Sequence, residues 1–300
     1  MKLNPVYQKE LKVSVRGIRT AVILLAYNGI LALFGLFAFY VTFEYDSRFG
    51  GTVDYASILR IYAIITAAEF CLVLFTVPAL TAASISGERE KQTLEILLTT
   101  KLTPFQIILG KLESSISMII LLAVSSLPVL AIVFTIGGVT LLDFMLFMVL
   151  IIVTAVFVGS IGIFFSTFFK KTTSATVCTY GVLLFICLGT LVILWGIKLL
   201  AEIKLRQFSG GLTYQKPDIG NWILILLMNP GVTFYSMIED QIGTGTELST
   251  FFGNFGTVAR TVEKQWFLIS MLIQLVISAI LLISSALLLD PLRDRHYRKK

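Results

Sequence analysis

Five consecutive residues, Gly87-Glu88-Arg89-Glu90-Lys91, hold four charges directly after a long apolar run. Just beyond them Leu94, Leu97 and Leu98 recur at helical spacing, with Glu95 turned away. An apolar stripe on a short helix suits a groove on a partner, and flanking charges orient the docked helix and select the partner by complementarity. Glu69 lies in the middle of an apolar run, where a carboxylate is costly and is a functional candidate by default. Two readings of it stand: a functional group, or a carboxyl neutralised by protonation or by hydrogen bonds inside a helix bundle. Little else in the chain can do chemistry. His296 is the only histidine, which excludes a His-based metal cluster or a Ser-His-Asp triad within the chain. Cys71, Cys178 and Cys187 fall inside apolar runs without paired spacing, so neither a disulfide framework nor a metal site is inferred. Gly110-Lys111 is followed by Leu112, and Phe105 stands where a phosphate-binding loop needs its first glycine, so that ATP site is missing. No cofactor is expected.

The elements that position these residues are long and apolar. Of the 300 residues 56% are hydrophobic and 14% charged, against about a quarter charged in a soluble domain. Lipid is the solvent that such a composition fits. A hydrocarbon core of about 30 Å needs about 20 apolar residues in a helix, and six segments meet that length, at 20–43, 57–82, 114–136, 144–168, 176–200 and 266–289. Trp222 to Met228 is apolar but short, and Asn229-Pro230 ends it; it reads as an interfacial or re-entrant piece. The net charge of +6 could suggest nucleic acid, but the basic residues show no aromatic-interleaved patch, and no nucleic-acid partner is expected.

The basic residues set an orientation instead. Lys2, Lys9, Lys12, Arg16 and Arg19 precede the first span; Arg89, Lys91, Lys101 and Lys111 follow the second; Lys170 and Lys171 follow the fourth; Arg293, Arg295, Arg298, Lys299 and Lys300 close the chain. In a six-span topology all of these fall on one side, which is the cytosol by the positive-inside rule, and both termini are expected there. On the other side stand short connections near 44–56 and Gly137-Gly138 and a long segment, 201–265, in which acidic and basic residues nearly balance. That segment reads either as a membrane-dipping cap over a pathway or as a surface loop. No cleavable signal peptide is evident. Asn4-Pro5 makes a helix start, and Lys9, Lys12, Arg16 and Arg19 recur opposite Tyr7, Leu11 and Ile18. Residues 1–19 therefore read as an amphipathic interfacial helix in the headgroup layer, or as a basic juxtamembrane anchor with the same location.

The connection at 83–113 is too long for a simple turn. Thr103-Pro104-Phe105-Gln106 has the capping-box pattern and starts a new helix that leads through Lys111 into the third span. The pattern predicts helix, break, short amphipathic helix, break, helix. Pro78 and Pro128 can kink the second and third spans, and Gly159 and Gly162 are small packing residues in the fourth.

The stretch GEREKQTLEILLTTKLTPFQIILGK resembles the first cytoplasmic loop of type-2 ABC transporter permeases, the membrane subunits of ATP-binding-cassette exporters. Asn4-Pro5-Val6 with Lys9-Glu10-Leu11 resembles the amino end of one bacterial branch of that family. The six spans and the long segment before the last span fit as well; Lys101 departs, standing where many members have Pro. The resemblance implies one all-α transmembrane permease domain over 1–300 in a bacterial plasma membrane, with six transmembrane helices, an interfacial amino-terminal helix and a cytosolic coupling helix between spans two and three. It further implies a separate ABC ATPase subunit and a second permease subunit, identical or homologous, as partners within the membrane lipids. By resemblance, coupling to the ATPase falls to Glu88, Arg89, Glu90, Thr93, Leu94, Glu95, Leu97 and Leu98. The residues alone also leave open a membrane scaffold or immunity protein that sequesters a ligand, and, with no catalytic group to support it, a membrane-embedded enzyme.

Overall fold

A computed structural model describes residues 6, 7, 10, 17–48, 55–99, 102–136, 139–208, 218–243, 247–256 and 259–289. Apart from turns and short connections these residues are helical. Six helical stretches are long and apolar enough to cross a membrane: Thr20–Glu44, Ile58–Glu90, Pro104–Ala131, Leu141–Phe168, Thr172–Leu205 and Trp266–Leu289. They coincide with the six expected runs, and most of the differences lie at one end. The third begins ten residues before the apolar run, because the capping box forms at Thr103: its hydroxyl accepts from Gln106 N–H while the Gln106 side chain accepts from Thr103 N–H. The basic tail with Arg293 and His296, the Gly137-Gly138 connection, Gly210-Gly211, Lys101 and most of the amino-terminal 1–19 segment lie outside the described residues.

The chain divides into two compact units. The first comprises residues 1–180 with 277–300. It contains α1 (Ile18–Arg48), α2 (Tyr55–Thr81), two short helices α3 (Ser86–Glu90) and α4 (Leu94–Leu98), α5 (Pro104–Ser125), α6 (Leu127–Ile136), α7 (Leu141–Phe168) and the start of α8 (Thr172–Leu184). α2 is the hub of this unit, packed on α1, α5, α6 and α7, and α7 is packed on both α2 and α5. Its glycines explain how closely α7 approaches: a Cβ on Gly162 would collide with the Thr81 side chain and meet the Ala82 backbone, and one on Gly159 would press on the end of Leu112. The third span is broken at Ser126, which ends α5. Pro128 follows two residues on and has no N–H for the Val124 carbonyl four residues back, and helical bonding resumes where the Ser126 carbonyl accepts from Val129 and Leu130. Thr140 caps α7 through a second capping box with Asp143.

The second unit, 181–276, carries a π turn (Phe185–Gly189), α9 (Thr190–Phe208), a 3₁₀ segment (Gly220–Met228), α10 (Pro230–Ile242), α11 (Glu247–Gly253), α12 (Arg260–Lys264) and the start of α13 (Trp266–Leu289). The 3₁₀ segment and α10 meet at 95°, the geometry of a re-entrant hairpin or a broken span. Asn229-Pro230 both ends one arm and starts the other. The Asn229 side chain accepts from Gly231 and Val232 N–H, and Pro230 takes the first helical position. The same amide donates to the Cys187 carbonyl, 2.9 Å away in the π turn, and to Thr190 Oγ1 at 2.9 Å. A π turn leaves carbonyls without helical partners, and in an apolar setting such a group needs one. Ile223, Leu226, Val232, Phe252 and Trp266 close the apolar core of this unit.

Candidate functional site

The 83–113 connection adopts the predicted order of helix, break, short helix, break, helix. The first break is a Schellman turn: Gln92 takes the left-handed conformation (φ 58°), Gln92 N–H bonds the Arg89 carbonyl, and Thr93 N–H reaches the Glu88 carbonyl at 2.9 Å. Glycine usually fills that position because a Cβ there costs about 1 kcal/mol.

The charges of this connection bind the chain's own backbone. Arg89 donates to the carbonyls of Phe169 (3.1 Å) and Thr167 (3.2 Å), the unsatisfied acceptors at the carboxyl end of α7. Glu90 accepts from Thr172 N–H at 2.9 Å and from the Thr172 hydroxyl, at the amino end of α8. One arginine and one glutamate thus hold both sides of the Phe169–Lys171 turn, each placed where the local helix end favours its sign. Glu88 accepts from Lys111 Nζ at 2.9 Å and from the Thr93 hydroxyl. Lys111, 7% exposed, pairs with Glu10 as well. Its ammonium therefore joins the amino-terminal segment, the loop and α5. Tyr7 adds a second tie from that segment, its hydroxyl 3.0 Å from Ser117 Oγ. Ser166 closes the turn after α2, accepting from Ile85 and Ser86 N–H at 2.9 Å each.

The leucine face of α4 turns toward this same bundle. Leu94 is buried with Ile85, Ile107, Ile108, Leu112, Ile163, Leu282 and Leu289, and half-buried Leu97 and Leu98 pack against that cluster. What α4 presents outward is Glu95 and Ile96, the latter 67% exposed, beside Lys91, Gln92 and Thr99. Of the residues the sequence singles out, Glu88, Arg89, Glu90, Thr93, Leu94, Leu97 and Leu98 fix the loop to the bundle, and Glu95 alone points away from it. Ile96 joins Glu95 on this outer side, and the sequence carries the signal, since it stands beside Glu95 on the face of the helix opposite the leucines. Glu69 lies elsewhere, fully buried in α2 and bonded to Ser126 Oγ at 2.6 Å. Among the described residues no group of three or more His, Cys, Asp or Glu could hold a metal ion.

Six apolar spans and a loop of short, braced helices between the second and third define a polytopic membrane protein with a built surface at one end of its bundle. The chain matches the ABC-2 family transporter proteins over residues 4–289 and belongs to that family. It is a membrane permease of an ABC transporter, the membrane component and not the ATPase, and members of this family generally work with an ATPase subunit. No curated protein matches the chain.

Proposed function

We propose that the chain is the permease half of a bacterial ABC exporter in the plasma membrane, both termini cytosolic, with α4 seated on a partner ATPase. Two such subunits, identical or homologous, enclose the pathway, and two ATPases drive it. ATP binding draws the two α4 helices together and biases each bundle between inward- and outward-open states as a rocking of rigid parts. The observation that carries this reading is the bracing of α4. A helix of five residues has no stability of its own. This one is anchored by a buried leucine, a Schellman turn and the Glu88–Lys111 pair, so a push on its outer face reaches α2, α5 and α7.

Within the proposal the eight residues carried by the resemblance divide in role. Glu88, Arg89, Glu90, Thr93, Leu94, Leu97 and Leu98 position the helix and transmit force, while Glu95, joined by Ile96, meets the ATPase. The purified chain should hydrolyse no ATP by itself and should do so when co-purified with an ABC ATPase encoded beside it. Hydrolysis by the single chain, with contaminating ATPases excluded by mass spectrometry, would overturn the reading. Orientation is checked separately: an impermeant thiol reagent applied to sealed cells should label cysteines placed at 221 or 254 and spare one at 296, and the reverse pattern inverts the topology.

A further inference from the structure

Three spans of the first unit meet at a small polar cluster in the middle of the bundle. Asn28 of α1 donates to Ser125 Oγ at 2.8 Å, and the neighbouring Tyr27 is buried with a hydroxyl that has no partner among the described residues. Ser126, at the break between α5 and α6, stands 2.6 Å from Glu69 Oε1 and 2.7 Å from the Ala123 carbonyl. Glu69 is 0% exposed, and its second oxygen, Oε2, has no partner among the described residues. Among the described residues no ion pair reaches it.

Proton counting decides the state of this carboxyl. A serine hydroxyl has one proton to give, a backbone carbonyl can only accept, and an ionised carboxylate can only accept. With Glu69 ionised, two acceptors at hydrogen-bonding distance compete for the single Ser126 proton. The loser would stay unpaired in an apolar interior, and the charge would have no counter-ion there. A proton on Glu69 resolves both difficulties: the carboxyl O–H donates to Ser126 Oγ, Ser126 donates to the Ala123 carbonyl, and Oε2 becomes a neutral carbonyl oxygen. Among the described residues the ionisable groups that face it are Tyr27 of α1 and Tyr62 of α2, neither of them a cation.

We propose that Glu69 is the proton-binding site of the span bundle, holding a proton that it donates to Ser126 at the break of the third span. The inference rests on this geometry and does not require the exporter reading. Infrared spectroscopy of the full chain in lipid nanodiscs at neutral pH tests it. The wild type should show a protonated-carboxyl C=O stretching band that is lost in Glu69→Gln and shifted in Ser126→Ala, which removes the acceptor. Glu69→Gln should fold and elute as the wild type does, because an amide reproduces the donor and acceptor of a neutral acid. Wild-type and Glu69→Gln spectra that coincide in this region would overturn the proposal. Should Glu69→Gln fail to fold, Ser126→Ala carries the test, and a carboxyl band unshifted in that variant would overturn the proposal as well.

Discussion

Lys111 illustrates how a single residue can hold this loop in register. It sits about two turns into α5, nearly buried, with Glu10 and Glu88 both on its ammonium. Removing one member of a buried charge pair leaves an unpaired charge and costs about 3–5 kcal/mol; partial exposure of the two carboxylates lowers that figure here. Lys111→Met should therefore cost about 2–3 kcal/mol of stability, read as a lower midpoint for thermal unfolding in detergent. The Lys111→Met/Glu88→Gln pair should recover part of it, because one orphaned charge is gone. Equal midpoints for wild type and Lys111→Met would show that the pair is solvated and structurally idle. The sequence marks Lys111 only as an orienting charge, because its partners lie 101 and 23 residues away along the chain. The same holds for Arg89 and Glu90: the charges were legible, but their targets on the Phe169–Thr172 turn follow only from how α2 and α7 pack.

At the scale of elements, what the sequence announces is whatever is local. The apolar runs mark all six spans, and Thr103 and Gln106 announce the start of α5, because a capping box involves residues three apart. Pro128 announces the break in the third span, whereas the π turn beneath Asn229 and the inward turn of the leucine face are not legible. Each depends on a neighbour remote in sequence, and a stripe of leucines looks the same whether a partner or the chain's own bundle covers it. The close approach of α7 to α2 is a further case, and it separates two glycines that look equivalent in sequence. Gly162→Ala drives a Cβ against Thr81, whose hydroxyl is committed to the Val77 carbonyl at 2.9 Å, and against the Ala82 backbone. Overpacking of this kind costs about 1–3 kcal/mol. Gly159→Ala meets the flexible end of Leu112, which can rotate away, and should cost less. Thermal midpoints of the two variants should fall in that order; the reverse order would mean that α7 shifts freely against α2.

At the scale of the whole molecule, a permease that is driven from outside must present a rigid contact to its motor, and the loop after the second span has that construction. Arg89 and Glu90 are bound to helix ends and Glu88 to Lys111, its leucines are packed, and its exposed side is short: Glu95 and Ile96, flanked by Lys91, Gln92 and Thr99. Burial of an isoleucine is worth about 1.5–3 kcal/mol, or roughly ten- to a hundredfold in affinity, and a carboxylate beside it adds selectivity for a basic groove more than strength. The Glu95→Lys/Ile96→Asp variant changes only this outer face, so membrane yield and thermal midpoint should match the wild type. Leu94→Asp, by contrast, puts a charge into the cluster around Ile107 and Leu112 and should lower the folded yield itself.

The most direct measurement is co-purification of the partner ABC ATPase with tagged permease, comparing wild type with Glu95→Lys/Ile96→Asp at equal amounts of folded permease. The account predicts that the ATPase is lost from the double variant, by tenfold or more, while the permease remains folded in the membrane. Recovery of the ATPase at wild-type yield would contradict it, and would mean that α4 is not where the motor binds.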